Sequence, residues 1–274
     1  MKFSFNSFVP KLTLAAALVG TLAGCDDPEY ATPQAITTAS TAQARYQVVN
    51  AAPGGNNAQL LSIDNVAPAT AFAPIPYLGT ATYSSLSAGQ RLLLFSVTGN
   101  LNNQQVAVRP TFNTGSSSTI FLTDSPTRPA SGTDPGGVRS VVLTDNLSEP
   151  AVATNAKIRF VNLATTGTYG IYNATTAPAT SLFSAVPFRA SRAITNTTTT
   201  TPAVTTNFAN FTEVAAGAYT LDVRASATAP ATPTPIAGTQ LQTTFAPGKI
   251  YTLYVRGTAG NATNPLGISV VTHN

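Results

Sequence analysis

Two stretches of apolar–polar alternation stand out along the chain. Tyr219, Leu221 and Val223 alternate with Thr220, Asp222 and Arg224, and Tyr251, Leu253 and Val255 alternate with Thr252 and Arg256. A period of two puts successive side chains on opposite faces of a strand. Each stretch therefore predicts a strand with one buried and one wet face. In the first half Leu93, Phe95 and Val97 supply the inward face, but Leu92 and Leu94 stand where the second half has Thr220 and Asp222. A strand apolar on both faces is covered on both. Leu92 and Leu94 are accordingly expected to mark an interface with the second half or with a partner. No window past the first two dozen residues carries a long helical period.

The strand signals occur twice. Tyr46-Gln-Val-Val-Asn50 matches Ile158-Arg-Phe-Val-Asn162, and Leu86 to Phe95 matches Val214 to Val223. Ser140-Val-Val-Leu-Thr-Asp-Asn146 likewise matches Ser269-Val-Val-Thr-His-Asn274. The second copy is longer around Thr195–Thr206, a Thr-rich stretch expected to be a long loop. Repeats of this length with frequent turn signals predict an all-β protein of two tandem immunoglobulin-like β-sandwich domains. The expected boundaries are 44–147 for the first, 148–156 for a connector and 157–274 for the second. Ser125–Gly137 and Ser226–Gly238 are too rich in Pro, Ala and Gly for interior strands and are expected to be mobile surface loops.

The N-terminus reads differently. Lys2 and Lys11 bracket a Phe-rich start, and an apolar run from Leu12 to Ala23 follows. That run has the length of a signal-peptide core and falls short of the ~20 residues needed to span a bilayer. It ends in Leu22-Ala23-Gly24-Cys25, which contains the only cysteine of the chain. This tetrapeptide resembles the lipobox of bacterial lipoproteins. The resemblance implies removal of residues 1–24 as a lipoprotein signal peptide and acylation of Cys25, with palmitate-type chains holding the protein on a membrane. Asp26, Asp27 and Glu29 resemble the export tag of surface lipoproteins in some Gram-negative groups, whereas in others an aspartate there retains the protein at the inner membrane. Residues 25–43 then form the lipidated foot and a flexible tether, and the expected location is the cell-surface side of the bacterial outer membrane.

Composition narrows the function. Charged residues are only 9% of the chain, and loss of Lys2 and Lys11 with the leader lowers the formal charge from +4 to +2. The remaining basic residues are scattered, so no nucleic-acid partner is expected. His273 is the only histidine. It is penultimate in the sequence, where chains usually fray, which argues against a catalytic triad. Asp64, Asp124, Asp134 and Asp145 fall in expected turns, where Asp serves backbone hydrogen bonding. None forms a calcium-loop run, so neither a metal nor another cofactor is expected. Glu149 and Glu213 are read as a connector residue and a solvated strand end rather than a glycosidase pair.

With the repeats aligned, Lys157-Ile-Arg-Phe-Val-Asn162, Ala216-Gly-Ala-Tyr-Thr-Leu221 and Pro247-Gly-Lys-Ile-Tyr-Thr-Leu253 resemble the bacterial "domain of unknown function 4397" family, often found in tandem in lipoproteins. So does the bridge Leu143 to Pro150. The chain departs from the family where a Ser-Pro-Asp-like turn usually follows the first strand. Ala51-Ala-Pro-Gly54 and Leu163-Ala-Thr-Thr166 stand there instead, without the acid. The resemblance implies a fold and a cell-envelope setting but no activity. The expected function is a non-enzymatic surface module that binds an envelope protein or plays a structural part. The alternative is a polysaccharide-binding lipoprotein, against which the absence of Trp weighs.

Overall fold

Thr and the β-branched apolar residues favour extended backbone, and Gly, Pro and Asn interrupt it. The computed structural model, which describes residues 42–54, 57–68, 72–190, 192–195, 204–225 and 233–274, is all-β, with no α-helix among the described residues. Cys25, Asp26, Asp27 and Glu29 lie outside the described residues.

The first half holds β1 (Gln43–Asn50), β2 (Ala58–Ile63), β3 (Ser84–Ser87), β4 (Gly89–Gln90), β5 (Leu93–Val97), β6 (Val106–Val108), β7 (Thr111–Phe112), β8 (Ser117–Thr123) and β9 (Arg139–Asp145). The second holds β10 (Asn155–Asn162), β11 (Thr168–Asn173), β12 (Thr180–Pro187), β13 (Arg192–Thr195), β14 (Val204–Asn207), β15 (Thr212–Ala215), β16 (Gly217–Ala225), β17 (Leu241–Phe245), β18 (Ile250–Arg256) and β19 (Gly267–Thr272). The sheet order β3-β1-β8-β9 recurs as β15-β10-β18-β19. In both sheets the central pair is parallel and the flanking pairs are antiparallel. Arg45 faces Ser117 in one and Lys157 faces Ile250 in the other, which fixes the residue equivalences between halves.

Each four-stranded sheet encloses an apolar core with a second sheet, β2-β5-β6 in the first half and β12-β11-β16-β17 in the second. This layering is consistent with a β-sandwich. Tyr46, Val48, Phe95, Ile120 and Leu122 fill the first core, and Ile158, Phe160, Val223, Leu253 and Val255 the second. The shared Val-Asn motif has a structural reason. Asn50 and Asn162 are buried where β1 and β10 end, and each side-chain oxygen accepts the amide N–H two residues on. Their amide nitrogens donate to Ile75 O, and to Val186 and Gly167 O. A buried amide with its donors and acceptor paired fixes the turn that follows.

A third apolar cluster joins the halves. Val49, Phe121 and Leu143 on the outer face of the first four-stranded sheet pack against Val161, Tyr254 and Val271 on the outer face of the second. The Phe121 and Tyr254 rings lie 5.8 Å apart at 57°. These pairs are themselves equivalents, so the two sheets meet through the same patch, as in an isologous dimer.

Several expectations change as a result. Thr252 was assigned to a wet face but is fully buried, because the first half covers it. Asp222 and Arg224 are buried too, as a bidentate pair at 2.8 and 2.9 Å, with Arg224 over the Tyr172 ring and donating to Pro233 O. Leu92 and Leu94 are half-buried and take no part in the junction, which the other sheet builds. The Thr195–Thr206 stretch is not wholly loop, since β13 and β14 pair across it from Arg192↔Asn207 to Thr195↔Val204. Ser125–Gly137 contains no strand, but Arg128 ties it down by donating to both oxygens of Asp134.

Phe121→Ala removes a buried ring that serves only the junction. Core deletions of this size cost about 3–5 kcal/mol, and guanidinium unfolding followed by circular dichroism should show a correspondingly lower midpoint. An unchanged midpoint would mean that the junction adds nothing to stability.

Candidate functional site

The junction is polar at one end, and the repeat places its polar groups in matched positions. Register puts Gln47 beside Thr119 in the first half and Arg159 beside Thr252 in the second. Asp145, opposite Ser117, corresponds to His273, whose N–H donates to Ile250 O. All six side chains are buried.

Their hydrogen bonds follow the same duplication. Gln47 Nε2 donates to Thr119 Oγ1 at 2.9 Å, and Thr119 Oγ1 donates to Asp145 Oδ2 at 2.8 Å. In the other half Arg159 Nε donates to Thr252 Oγ1 at 2.8 Å, and Thr252 Oγ1 lies 2.6 Å from His273 Nε2. Further bonds then cross between the halves. Gln47 Nε2 lies 2.8 Å from His273 Nδ1, and Arg159 Nη2 donates to Asp145 Oδ1. Because Gln47 Nε2 is a donor, His273 Nδ1 accepts and its proton sits on Nε2, directed at Thr252.

Aromatic rings flank the network on both sides. Phe211 lies under the Arg159 guanidinium at 4.5 Å and meets the His273 ring edge-on at 5.6 Å. Its counterpart Tyr83 donates to Asp145 Oδ2 at 2.7 Å and carries the Arg45 guanidinium at 4.9 Å. Arg159 also donates to Thr144 O and Ala209 O.

The electrostatics follow from burial. Loss of water lowers the His273 pKa to about 4, with Asp145 opposing and Arg159 reinforcing the shift. Burial raises the Tyr83 phenol far above its ordinary value, and the Asp145 carboxylate adds to this. Burial presses the Arg159 pKa down, against the pull of Asp145. At neutral pH the site is one charged pair, a neutral imidazole and neutral hydroxyls, with its donors and acceptors turned on one another. An open groove of about 470 Å³ runs alongside, lined by Arg45, Tyr83, His273 and Asn274 among others.

Among the acids singled out from sequence, Asp145 is thus a junction residue rather than a turn. Asp64 does serve a turn, accepting Leu92 N–H and Arg91, and this lowers its pKa. Glu213 caps the connector by accepting the Ala151 N–H at 2.5 Å, and it too is lowered in pKa, chiefly by that bond. Arg159, Gln47 and Tyr83 were missed. The aligned motifs did contain a signal: Gln47 and Arg159 occupy the same slot among apolar neighbours.

Arg159→Met should destabilise by about 3–5 kcal/mol because it strands a buried carboxylate. Arg159→Met with Asp145→Leu should cost less than either change alone, as read from a double-mutant cycle by chemical denaturation. The imidazole supplies a pH test. Above its ordinary value of 6.5 His273 is neutral in both states, whereas between 6.5 and about 4 only the unfolded chain takes up the proton. Stability should therefore fall as pH drops through that window, by about 3 kcal/mol in total at ~1.4 kcal/mol per pH unit. His273→Gln should flatten this part of the stability–pH curve.

No curated protein matches the chain by sequence. A family model described as "Domain of unknown function (DUF4397)" matches residues 44–169, from β1 through the first half and across β10 into β11. The chain therefore carries a DUF4397 domain over that stretch.

Proposed function

We propose that this protein is a non-enzymatic surface lipoprotein that presents two immunoglobulin-like sandwiches, 44–147 and 157–274, as one rigid binding body. The junction network carries this reading. Its buried histidine, acid, hydroxyls and amide resemble the ingredients of an active site, yet each is held by another member of the set, and their duplicated arrangement is that of a fastening. The connector is fastened as well, through Glu213 at Ala151 and Lys157 at Ser148 O. A body with no hinge at its waist suits display of a fixed surface at a distance from the membrane.

In this reading Cys25 carries the acyl chains, Asp26, Asp27 and Glu29 direct the protein to the outer face of the outer membrane, and the tether up to residue 43 gives reach. Two or more acyl chains make such attachment effectively stable, at roughly 0.8 kcal/mol per buried CH₂.

Cys25→Ala should release the protein from membranes and abolish labelling with an alkynyl palmitate probe in a bacterial host. A variant that stays in the membrane fraction would refute the anchor. Replacing Asp26, Asp27 and Glu29 together by Ser should leave labelling intact while protecting the protein from protease added to whole cells.

A further inference from the structure

At the other end of the junction the repeat symmetry is broken by a group of charges. Asp124 follows β8 as Gly257 follows β18, and both take left-handed backbone, with φ of 71° and 85°. Leu78 and Arg189 are a second equivalent pair. Each donates its N–H to the Asn that ends the first strand, Asn50 and Asn162, and each is left-handed, with φ of 65° and 54°. The fold is thus satisfied by Gly257 and Leu78 at one site. At the equivalent site it carries an aspartate and an arginine.

The aspartate is placed at a cost. A left-handed conformation is disfavoured for residues with a Cβ. The Asp124 side chain is fully buried, and among the described residues neither oxygen has a partner in hydrogen-bond geometry. Arg128 Nε and Arg189 Nη1 approach Oδ2 at 3.2 and 3.1 Å. Arg128 and Arg139 both pair with Asp134. Strain and an under-bonded buried charge that the sister position avoids are features retained at functional sites rather than by folding.

Three guanidiniums here meet two carboxylates, leaving one positive charge. Arg139 and Arg189 are 31% and 32% exposed. Among the described residues Arg139 pairs with Asp134, and Arg189 pairs with Asp124 and lies 4.5 Å from the Phe188 ring. Among the described residues these contacts use only part of the five N–H donors of each guanidinium. Both line a cleft of about 460 Å³ together with Asn100, Gln104, Asp134 and Ser140, a size in the range of small-ligand sites, roughly 300–1,000 Å³.

We propose that this cleft binds the carboxylate of an acidic sugar, such as a uronate unit of a polysaccharide, between Arg139 and Arg189. A planar guanidinium matches a carboxylate bidentately, and the amide, hydroxyl and carboxylate groups around it suit sugar hydroxyls. Asp124 and Asp134 are positioning residues that aim the arginines. Arg189 comes from the second half and the rest from the first, so the site exists only while the junction is closed. The inference deepens the display reading by naming a ligand class for the presented surface.

The test is calorimetric titration of the purified full-length chain in detergent with trigalacturonate, its methyl ester and inorganic phosphate. Saturable trigalacturonate binding is expected, weakened roughly tenfold or more by esterification and by Arg139→Gln or Arg189→Gln. Asp124→Gly, which installs the sister residue, should leave the melting temperature unchanged or raise it while weakening binding to a similar degree. Absence of trigalacturonate binding, equal binding of the ester, or arginine variants that bind like the wild type would overturn the proposal. Phosphate binding as tight as that of trigalacturonate would also overturn it, in favour of a general anion site. Membrane attachment is scored separately through Cys25, so a negative titration leaves the anchor reading standing.

Discussion

The burial of two like sheet faces against each other is the constraint on which the rest of the structure depends. Once the outer faces of β1-β8 and β10-β18 exclude water, every polar side chain on them must find a protein partner, because an unpaired buried polar group costs about 1–3 kcal/mol. The Arg159–Asp145 pair and the Gln47–His273 bond meet that demand across the junction. The apolar contacts supply adhesion and the polar ones supply register. A buried ion pair contributes little net stability against a well-packed apolar alternative, so its value here lies in excluding other ways of docking the sheets.

Duplication explains why so few residues achieve this. An isologous contact uses one patch twice, and each useful residue appears in two roles. The two halves differ within that symmetry. One copy holds Gln47 and Asp145, the other Arg159 and His273, and the cross-links form between unlike members. Thr119 and Thr252 are hydroxyls in both copies: each accepts a bond from the strand beside it, and each is also bonded to the residue across the sheet. At the opposite end the halves differ further. Asp124 and Arg189 introduced charge where Gly257 and Leu78 need none.

Much of the fold was legible in the chain. The aligned segments at Tyr46–Asn50 and Ile158–Asn162 became the equivalent central strands β1 and β10, and the alternating stretches became β16 and β18. The inward residues Leu221, Val223, Leu253 and Val255 are core, as the period of two requires. The error lay in the other face. Thr252, Asp222 and Arg224 read as solvated because polarity is the usual mark of solvent exposure, but a loop or a second sheet can cover polar residues that bond one another. Leu92 and Leu94 lie outside the junction cluster for the complementary reason: apolar character does not state what covers a side chain. His273 read as a frayed end because its position in sequence says nothing about the sheet that holds it.

The sequence by itself determined the strands and their recurrence in two similar units, because periodicity, turn residues and local motifs act over a few neighbouring positions. Tertiary structure alone decided which sheet faces meet. It brought Asp145 to Arg159, Gln47 to His273 across 226 positions, and Arg189 to Asp124. These contacts depend on the packing of two sheets whose outer faces mix polar side chains with apolar ones such as Val49, Phe121, Val161 and Tyr254, and neither sheet alone states what covers them. Their chemistry emerges only when water is removed from both together.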